Sequence, residues 1–485
     1  MGARVNKPLA IAIVVFWVVM TALLVYRQST LTLPQSERDW MRPSESYLII
    51  ELPNGQRAGS VQLLQQPTQR EGEQGVQMTA IARGALNLLG RMTEFTLRGD
   101  TWRSIEGGHV IFAWRLTSEG HRISFEGRIE EGRLTAEVRT AGETFPVSFA
   151  VGDNFTLTPD FSANIDVAQM RPGGVYSVDS FDPTTMSQTS MRVRALREET
   201  IEAYGRTYDT MVLRIDAGMM ETTAWVSMDN ELVRVETPVG FTLVKADGQI
   251  ALGAIAPADA GDLLGFTAIQ PTGERPFRNA TRMVARISGI DDAVAFESDD
   301  AQTVGEGAVL TIAPGGPTDG PDPDDLEPYL ASDPFIQAAH PRIMAQAEEI
   351  IGDETDRWQQ ASLIYDFVFE ELEKVAVISF PSALEVLDQR EGDCNEHTVL
   401  YAALARAVGI PTRIAIGVVW SEELDGFYYH AWPEVFVGEW VWLDPTLGQI
   451  PADATHIKLF TGGIETWTRL TAFIGNLQIE VMEIE

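Results

Sequence analysis

The sequence predicts an α+β fold with an N-terminal transmembrane helix, an antiparallel β-rich domain and a C-terminal α+β domain. Three observations predict it. Residues 8–26 carry no charge and are apolar except for Thr21. From about Ser46 to Leu252, short runs of β-branched and aromatic residues alternate with turn signals. From Pro334 onward the hydrophobic period changes to about 3.6 residues, as expected for helices.

The composition is that of a folded protein that does not bind nucleic acid. The 485 residues include 11 Trp, 10 Tyr and 21 Phe, enough to form a core. At roughly 150 residues per domain, this length predicts two to four folded units. The 70 acidic and 36 basic residues give a net charge of −34, which would repel a phosphate backbone. A single cysteine excludes a disulfide framework.

The apolar segment 8–26 predicts a membrane anchor that follows a short tail, residues 1–7. Its 19 residues would form a helix about 28 Å long, close to the thickness of a bilayer core. A cleaved signal peptide is the competing interpretation, but its apolar stretch is usually shorter and ends in small residues. Here the stretch ends at Leu24-Val25-Tyr26-Arg27, which favours an uncleaved anchor.

The membrane orientation is less well specified than the span. Basic residues lie on both sides of it, so the positive-inside count hardly decides; they are Arg4 and Lys7 before it, and Arg27, Arg38 and Arg42 after it. A start-of-chain anchor behaves as a signal, and long acidic domains cross regardless of charge. We therefore expect a single-pass protein with its bulk on the periplasmic or extracytoplasmic side, with a cytoplasmic bulk as the alternative.

Composition divides the rest of the chain into four parts. Residues 46–255 form the β-rich domain, whose role the sequence does not reveal, and 265–314 form a small β unit. Residues 315–330 are an acidic linker rich in Pro and Gly, at the end of a stretch, 291–330, with eleven acidic and no basic residues. Residues 331–485 form the last domain, in which helices precede an antiparallel sheet.

The only cysteine, Cys394, is predicted to lie in the first turn of a helix. Asp393 and Glu396 have capping-box spacing around it. Unpaired backbone N–H groups and the positive end of the helix dipole lie there, and both favour a thiolate with a pKa below about 8.5. The same N–H groups can hold an oxyanion. The competing interpretation is a small, buried and inert cysteine.

Two further residues complete the chemistry of a nucleophile. His430 lies in a strand-like run, Tyr428-Tyr429-His430-Ala431-Trp432-Pro433, and Asp444 ends another, Trp440-Val441-Trp442-Leu443-Asp444. A histidine can take the thiol proton, and a carboxylate can fix the tautomer of that histidine. Each is ambiguous alone, because a histidine in a strand is often structural and Asp before Pro often marks a turn.

These motifs together resemble the transglutaminase-like superfamily, which has a papain-like cysteine core. The runs G-D-C-N-E-H, A-L-A-R-A-x-G-I-P-T-R, Y-H-A-W-P-E-V and W-V-W-L-D-P-T carry the resemblance over roughly residues 335–460. It implies Cys394 as nucleophile, His430 as general base and acid, and Asp444 as orienting carboxylate. The continuation from Gln449 to Leu459, with its run D-A-T-H-I-K-L, also looks like bacterial members.

The resemblance leads to a hypothesis of function with one alternative. A membrane-anchored cysteine enzyme would act on amide bonds of proteins or peptides through a thioester acyl-enzyme, as peptidase, amidase or acyl transferase. The alternative is an envelope scaffold or binding protein without turnover. No cofactor is implied. A zinc site at Cys394 and His397 is disfavoured because no second cysteine exists, so we expect His397 to pack or hydrogen-bond within its helix.

The hairpin between His430 and Asp444 gives a geometric prediction. With a two-residue turn at Gly438 and Glu439, facing positions would have opposite parity, and the two side chains would point to opposite sides of the sheet. A catalytic pair therefore requires an odd-residue loop, such as Gly438–Trp440, or a bulge, for which Pro433 is a natural place.

Overall fold

Sixteen strands form one large sheet, which makes the described chain mostly β. In this computed structural model the described residues are 31–32 and 42–485, apart from 89–90, 106–108, 119–120, 141–142, 153–154, 157–166, 183–186, 218–219, 238–239, 254–267, 291–295, 321–324, 376–381, 463–472 and 474. The strands of the large sheet are, in chain order, β1 (Leu31–Thr32), β2 (Ser44–Glu51), β3 (Arg57–Arg70), β4 (Glu73–Leu88), β5 (Arg91–Ser104), β6 (Val110–Ser118), β7 (His121–Glu130), β8 (Arg133–Thr140), β9 (Glu143–Ala150), β10 (Phe155–Thr156), β11 (Val175–Asp182), β12 (Ser187–Ala203), β13 (Arg206–Ala217), β14 (Met220–Ser227), β15 (Leu232–Glu236) and β16 (Thr242–Ala246).

Neighbours in the large sheet are mostly neighbours in sequence. Strands β2 to β9 form one antiparallel meander and β11 to β16 another, and β16 pairs with β2 to join them. Tight turns connect several hairpins, as between β3 and β4, where Glu71 and Gly72 have φ of 53° and 90°. Two left-handed residues give a turn whose twist matches that of the strands. The predicted β-rich character of this region is confirmed.

A small second sheet combines strands from distant parts of the sequence. Its members are β17 (Thr272–Gly273), β18 (Met283–Ser288), β19 (Gln302–Val304), β20 (Val309–Ile312) and the C-terminal β27 (Gln478–Ile484). Strand β27 lies between β17 and β18. The boundary that the sequence predicts at residue 331 therefore runs between strands that pair with each other.

The helices precede a four-stranded antiparallel sheet, in the order that the sequence predicts. After α1 (Gly248–Ala251), the helices are α2 (Pro341–Ile351), α3 (Arg357–Glu371), α4 (Ala383–Gln389) and α5 (Cys394–Ala407), with 3-10 turns at Val167–Gln169, Glu306–Ala308 and Glu327–Leu330. The later strands are β21 (Glu373–Lys374), β22 (Glu391–Gly392), β23 (Thr412–Ser421), β24 (Gly426–Phe436), β25 (Trp440–Trp442) and β26 (His456–Thr461). The four-stranded sheet has the order β25-β24-β23-β26, and β21 pairs with β22.

One hydrophobic core joins the small sheet, the helices and the four-stranded sheet. Helix α5 is at its centre, because every residue from Glu396 to Ala405 is buried. Strand β27 adds Ile479 and Val481 to the same core. A buried ion cluster also links these parts: Lys458 Nζ lies 2.9 Å from Glu434 Oε1 and also contacts Asp299, which precedes β19.

The predicted linker packs against the turn of the β24–β25 hairpin. The Thr318 amide donates to the Val437 carbonyl at 3.1 Å. Gly438 has a φ of 88°, and a Cβ there would lie 2.0 Å from the Thr318 oxygen. Glycine is therefore required at this turn both for its conformation and for the close approach of the chain.

The predicted anchor, residues 8–26, lies outside the described residues. Among the helices that the structure does describe, none has the length and apolar character needed to cross a bilayer.

Candidate active site

Helix α5 begins at Cys394 with the capping box that the sequence predicts. The Asp393 carboxylate accepts from the Asn395 amide at 2.9 Å, and Glu396 accepts from the Asp393 amide at 2.9 Å. The residue before the capping box, Gly392, has to be glycine, because a Cβ there would lie 2.3 Å from the Glu396 side chain. Cys394 is half-buried and not in a disulfide. Its own amide, the first of the helix, has no intrahelical acceptor and can bind an oxyanion.

The peptide group of Ala431 joins the start of α5 to the strand that carries His430. The Ala431 amide hydrogen-bonds the Cys394 sulfur. The Ala431 carbonyl accepts from the Thr398 hydroxyl, one turn further along α5, at 3.1 Å. These contacts are possible because β25 pairs with β24 only from Glu434, which leaves the edge of β24 at Ala431 open to α5. The structure therefore brings Cys394 next to the residue that follows His430.

The β24–β25 hairpin has the odd-residue connection that the sequence predicts. Phe436 pairs with Trp440, so three residues, 437–439, connect the strands. Pro433 pairs regularly with Ile414, so of the two predicted devices the odd loop is the one used. Residues that face each other across the two strands then have numbers that are both even or both odd. His430 and Asp444 therefore lie on one side of the sheet. His430 Nε2 lies 2.8 Å from Asp444 Oδ2, so the two side chains hydrogen-bond, as the orienting role expected of Asp444 requires.

The Asp444 carboxylate is buried and accepts hydrogen bonds at both oxygens. The amides of Thr446 and Leu447 donate to Oδ1 at 2.9 and 2.8 Å. Oδ2 accepts from His430 Nε2, and also from His456 Nε2 at 3.0 Å. An ionised carboxylate can only accept, so His430 must carry its proton on Nε2. Its Nδ1 then keeps a lone pair, the form that a general base needs.

Burial and charge shift the pKa values of this site in opposite directions. Burial alone would raise the pKa of Asp444, but its contacts with His430 and His456, which include a hydrogen bond from each ring, lower it well below its usual range. Burial, followed by the charge of Asp393, raises the pKa of Cys394, and the Ala431 amide lowers it only in part. The sequence predicts a thiol with a lowered pKa, but burial and the Asp393 carboxylate instead raise the pKa of Cys394.

His456 is the residue of this site that sequence reasoning missed. It begins β26, is fully buried, and contacts the same Asp444 oxygen as His430. The only signal in the sequence is its place in the D-A-T-H-I-K-L run, which does not specify a role. Its position depends on the pairing of β26 with β23, which separates β26 from β24 in the sheet. Local sequence does not reveal this pairing. Thr398 was missed as well.

The three side chains could in principle hold a metal ion. Ligand atoms of His430, Asp444 and His456 lie within 4.8 Å of one another. However, both Nε2 atoms point at one carboxylate oxygen, so both carry protons and neither offers a lone pair. A bound metal would have to displace both protons. The donor set therefore fits a proton network better than a metal centre.

Two neighbouring residues pack around the site. His397 is fully buried and its Nδ1 lies 2.8 Å from the Asp393 carbonyl oxygen, so it hydrogen-bonds within its helix as predicted. Burial lowers the pKa of His397, which favours the neutral ring. The Trp432 ring stacks on His430 with a centroid distance of 6.2 Å and is fully buried. Trp432 therefore supports the His430 ring and does not line an open cleft.

Comparison with known proteins identifies the family of this region. Residues 344–445 match the model of the Transglutaminase-like superfamily. No curated protein matches the chain.

Three solved structures are similar to parts of the chain. A "putative cysteine protease" from Cytophaga hutchinsonii is 14% identical over 45% of this chain and 85% of its own, with a TM-score of 0.28. A β-barrel-like protein of a domain of unknown function from Brucella abortus is 9% identical over 45% of this chain and 96% of its own, with a TM-score of 0.32. A "putative protease" from Parabacteroides distasonis is 11% identical over 74% of this chain and 69% of its own, with a TM-score of 0.21.

Cys394, His430 and Asp444 all lie within the matched range, 344–445. This part of the chain is a transglutaminase-like domain.

Proposed function

We propose that this chain is a cysteine enzyme that acts on amide bonds of proteins or peptides through a thioester acyl-enzyme. The observation that carries the proposal is the orientation of His430. Its Nε2 is held by Asp444 at 2.8 Å, and the next residue, Ala431, hydrogen-bonds the Cys394 sulfur. The match to the transglutaminase-like superfamily supports the same assignment.

In the first step, His430 Nδ1 takes the Cys394 thiol proton as the sulfur attacks the amide carbonyl carbon. Because the pKa of Cys394 is raised, the proton leaves during attack and not beforehand. The carbonyl oxygen becomes an oxyanion that the Cys394 amide can stabilise. The C–N bond then breaks, and His430 passes its proton to the leaving amine, which leaves a thioester on Cys394.

In the second step an acceptor attacks the thioester carbon. His430 takes a proton from the acceptor, the C–S bond breaks, and the thiol of Cys394 is regenerated. With water as acceptor the product is a carboxylic acid, and the enzyme is a peptidase or amidase. With a primary amine the product is a new amide, and the enzyme is an acyl transferase. Both use the same three side chains.

The proposal is tested by supplying both acceptors at once. The full chain is incubated with casein and a fluorescent primary amine, and peptide release and amine incorporation are measured together. We expect wild-type protein to give at least one product, Cys394→Ala neither, and the surface control Asp425→Asn the wild-type amount. A wild type that yields neither product would favour the alternative, a scaffold or binding protein without turnover.

We also propose that residues 8–26 anchor the protein in a membrane with its bulk on the extracytoplasmic side. The uncharged apolar run of 19 residues supports this. Alkaline carbonate should leave the wild type in the membrane pellet and release a variant that lacks residues 1–41. An impermeant protease added to intact spheroplasts should digest the wild type. If the bulk of the protein were protected from this protease, the proposed extracytoplasmic orientation would be contradicted.

A further inference from the structure

We propose that His456 is a positioning residue: a permanent imidazolium behind Asp444 that fixes the carboxylate and cancels its charge, so that His430 stays a neutral base. The inference rests on the proposed function for its effect on turnover. The protonation of His456 itself follows from the contacts of its ring alone.

Both ring nitrogens of His456 face acceptors. Nε2 lies 3.0 Å from Asp444 Oδ2. Nδ1 lies 3.1 Å from the Asp453 carbonyl oxygen and 3.4 Å from Asp453 Oδ1. A neutral imidazole has one donor and one acceptor, so it would set a lone pair against an oxygen at one of these contacts. Only the doubly protonated ring satisfies both.

The charges around His456 alternate in sign. Asp444 and Asp453 contact its two nitrogens, and Arg278 Nε lies 3.4 Å from the far oxygen of Asp453. A further ionisable neighbour among the described residues is His430, whose ring centroid lies 6.0 Å away, and Trp432 packs edge-on against His456. Burial alone would lower the pKa of His456, but its hydrogen bonds to Asp444 and Asp453 raise it to about 9.

The cation matters for His430 because both rings share one carboxylate oxygen. A buried carboxylate without a second counter-ion would strongly favour the imidazolium form of His430. Protonated His430 cannot accept the Cys394 proton, and the raised pKa of that thiol makes the transfer obligatory. When His456 is charged, Asp444 fixes the tautomer of His430 without also stabilising a second proton on the His430 ring.

The test separates charge from hydrogen bonding. His456→Gln keeps an N–H donor for Asp444 but removes the positive charge. Acylation of the full chain by p-nitrophenyl acetate is followed against pH, where the acid limb of the rate reports protonation of the catalytic base. We expect this limb to move to higher pH by about one to two units, from the repulsion of two cations about 6 Å apart.

Histidine titration by NMR of the ¹³C-histidine-labelled full chain provides a readout that does not need activity. In wild type we expect His456 to titrate near pH 9. In His456→Gln we expect the acid limb of the acylation rate to move to higher pH, and KM to change little. His109→Gln, in the large sheet, is the matched control and should leave the His456 midpoint and the acid limb unchanged.

Two results would overturn the inference. One is a titration midpoint of wild-type His456 below about pH 7, which can be measured even if His456→Gln does not fold. The other is a folded His456→Gln in which the rate falls equally at every pH with an unmoved limb, which would indicate a purely structural role. A wild type that is not acylated at all would count against the proposed function, while the titrations would still decide the charge of His456.

Discussion

Replacing Asp444 with asparagine should disable His430 without removing it. The amides of Thr446 and Leu447 donate to Oδ1 and cannot become acceptors, so the Asn carbonyl oxygen must face them. The Asn amino group then faces His430 and His456, where Oδ2 was. To accept from it, His430 must present a lone pair on Nε2 and move its proton to Nδ1. That tautomer cannot take the Cys394 proton.

The size of the effect follows from these contacts. A base held in the wrong tautomer costs about 10⁴ in kcat in the serine protease triad, and we expect a loss of about 10³ to 10⁴ here. The substitution also leaves a buried His456 cation without Asp444, which should lower the free energy of unfolding by about 3–5 kcal/mol. Activity must therefore be measured well below the unfolding temperature of the variant.

The assay is the acylation rate of the full chain with p-nitrophenyl acetate, alongside urea unfolding. Asp425→Asn is the matched control, because Asp425 pairs with Arg275 but its side chain is 66% exposed. Its unfolding free energy should change by no more than about 0.5 kcal/mol and its rate not at all. If Asp444→Asn retained activity within tenfold of wild type, the tautomer argument would be refuted.

Three further predictions follow from the same contacts. Because burial and Asp393 raise the pKa of Cys394, the iodoacetamide alkylation rate should have its midpoint above about 8.5, and a lower midpoint would contradict this. Because the folded pKa of His456, about 9, exceeds the unfolded value of about 6.5, its stabilisation is complete below pH 6.5 and is lost as pH rises through 9. The unfolding free energy of wild type should therefore fall across this window more than that of His456→Gln, and parallel curves would argue against it. A fragment that starts at residue 325 lacks β18, the partner of β27, and should give no cooperative thermal transition, whereas one that starts at residue 268 should unfold cooperatively; equal stability would show that β18 is dispensable.

Local rules predicted much of the candidate site. The capping box around Cys394 follows from the spacing of Asp393 and Glu396, and the structure has both of its hydrogen bonds. The odd connection between β24 and β25 follows from the two-residue period of a strand, once His430 and Asp444 are required to share a face. Both inferences use contacts between residues that are close in the sequence.

The remaining features depend on contacts between distant residues. His456 reaches Asp444 because β26 pairs with β23, and the composition of β26 does not specify that partner. Strand β27 pairs with β18 across nearly 200 residues, so a composition-based boundary at 331 could not detect it. The raised pKa of Cys394 depends on burial, which a helix-terminus argument from sequence does not include.

The central claim, that Cys394 forms an acyl-enzyme, is tested most directly by intact mass spectrometry of acid-quenched protein. After brief exposure to p-nitrophenyl acetate, we predict one acetyl group on wild type, located in the peptide that contains Cys394. Cys394→Ala should carry none, and His430→Asn should acquire it far more slowly. An unmodified wild type, or an equal adduct on Cys394→Ala, would contradict the account.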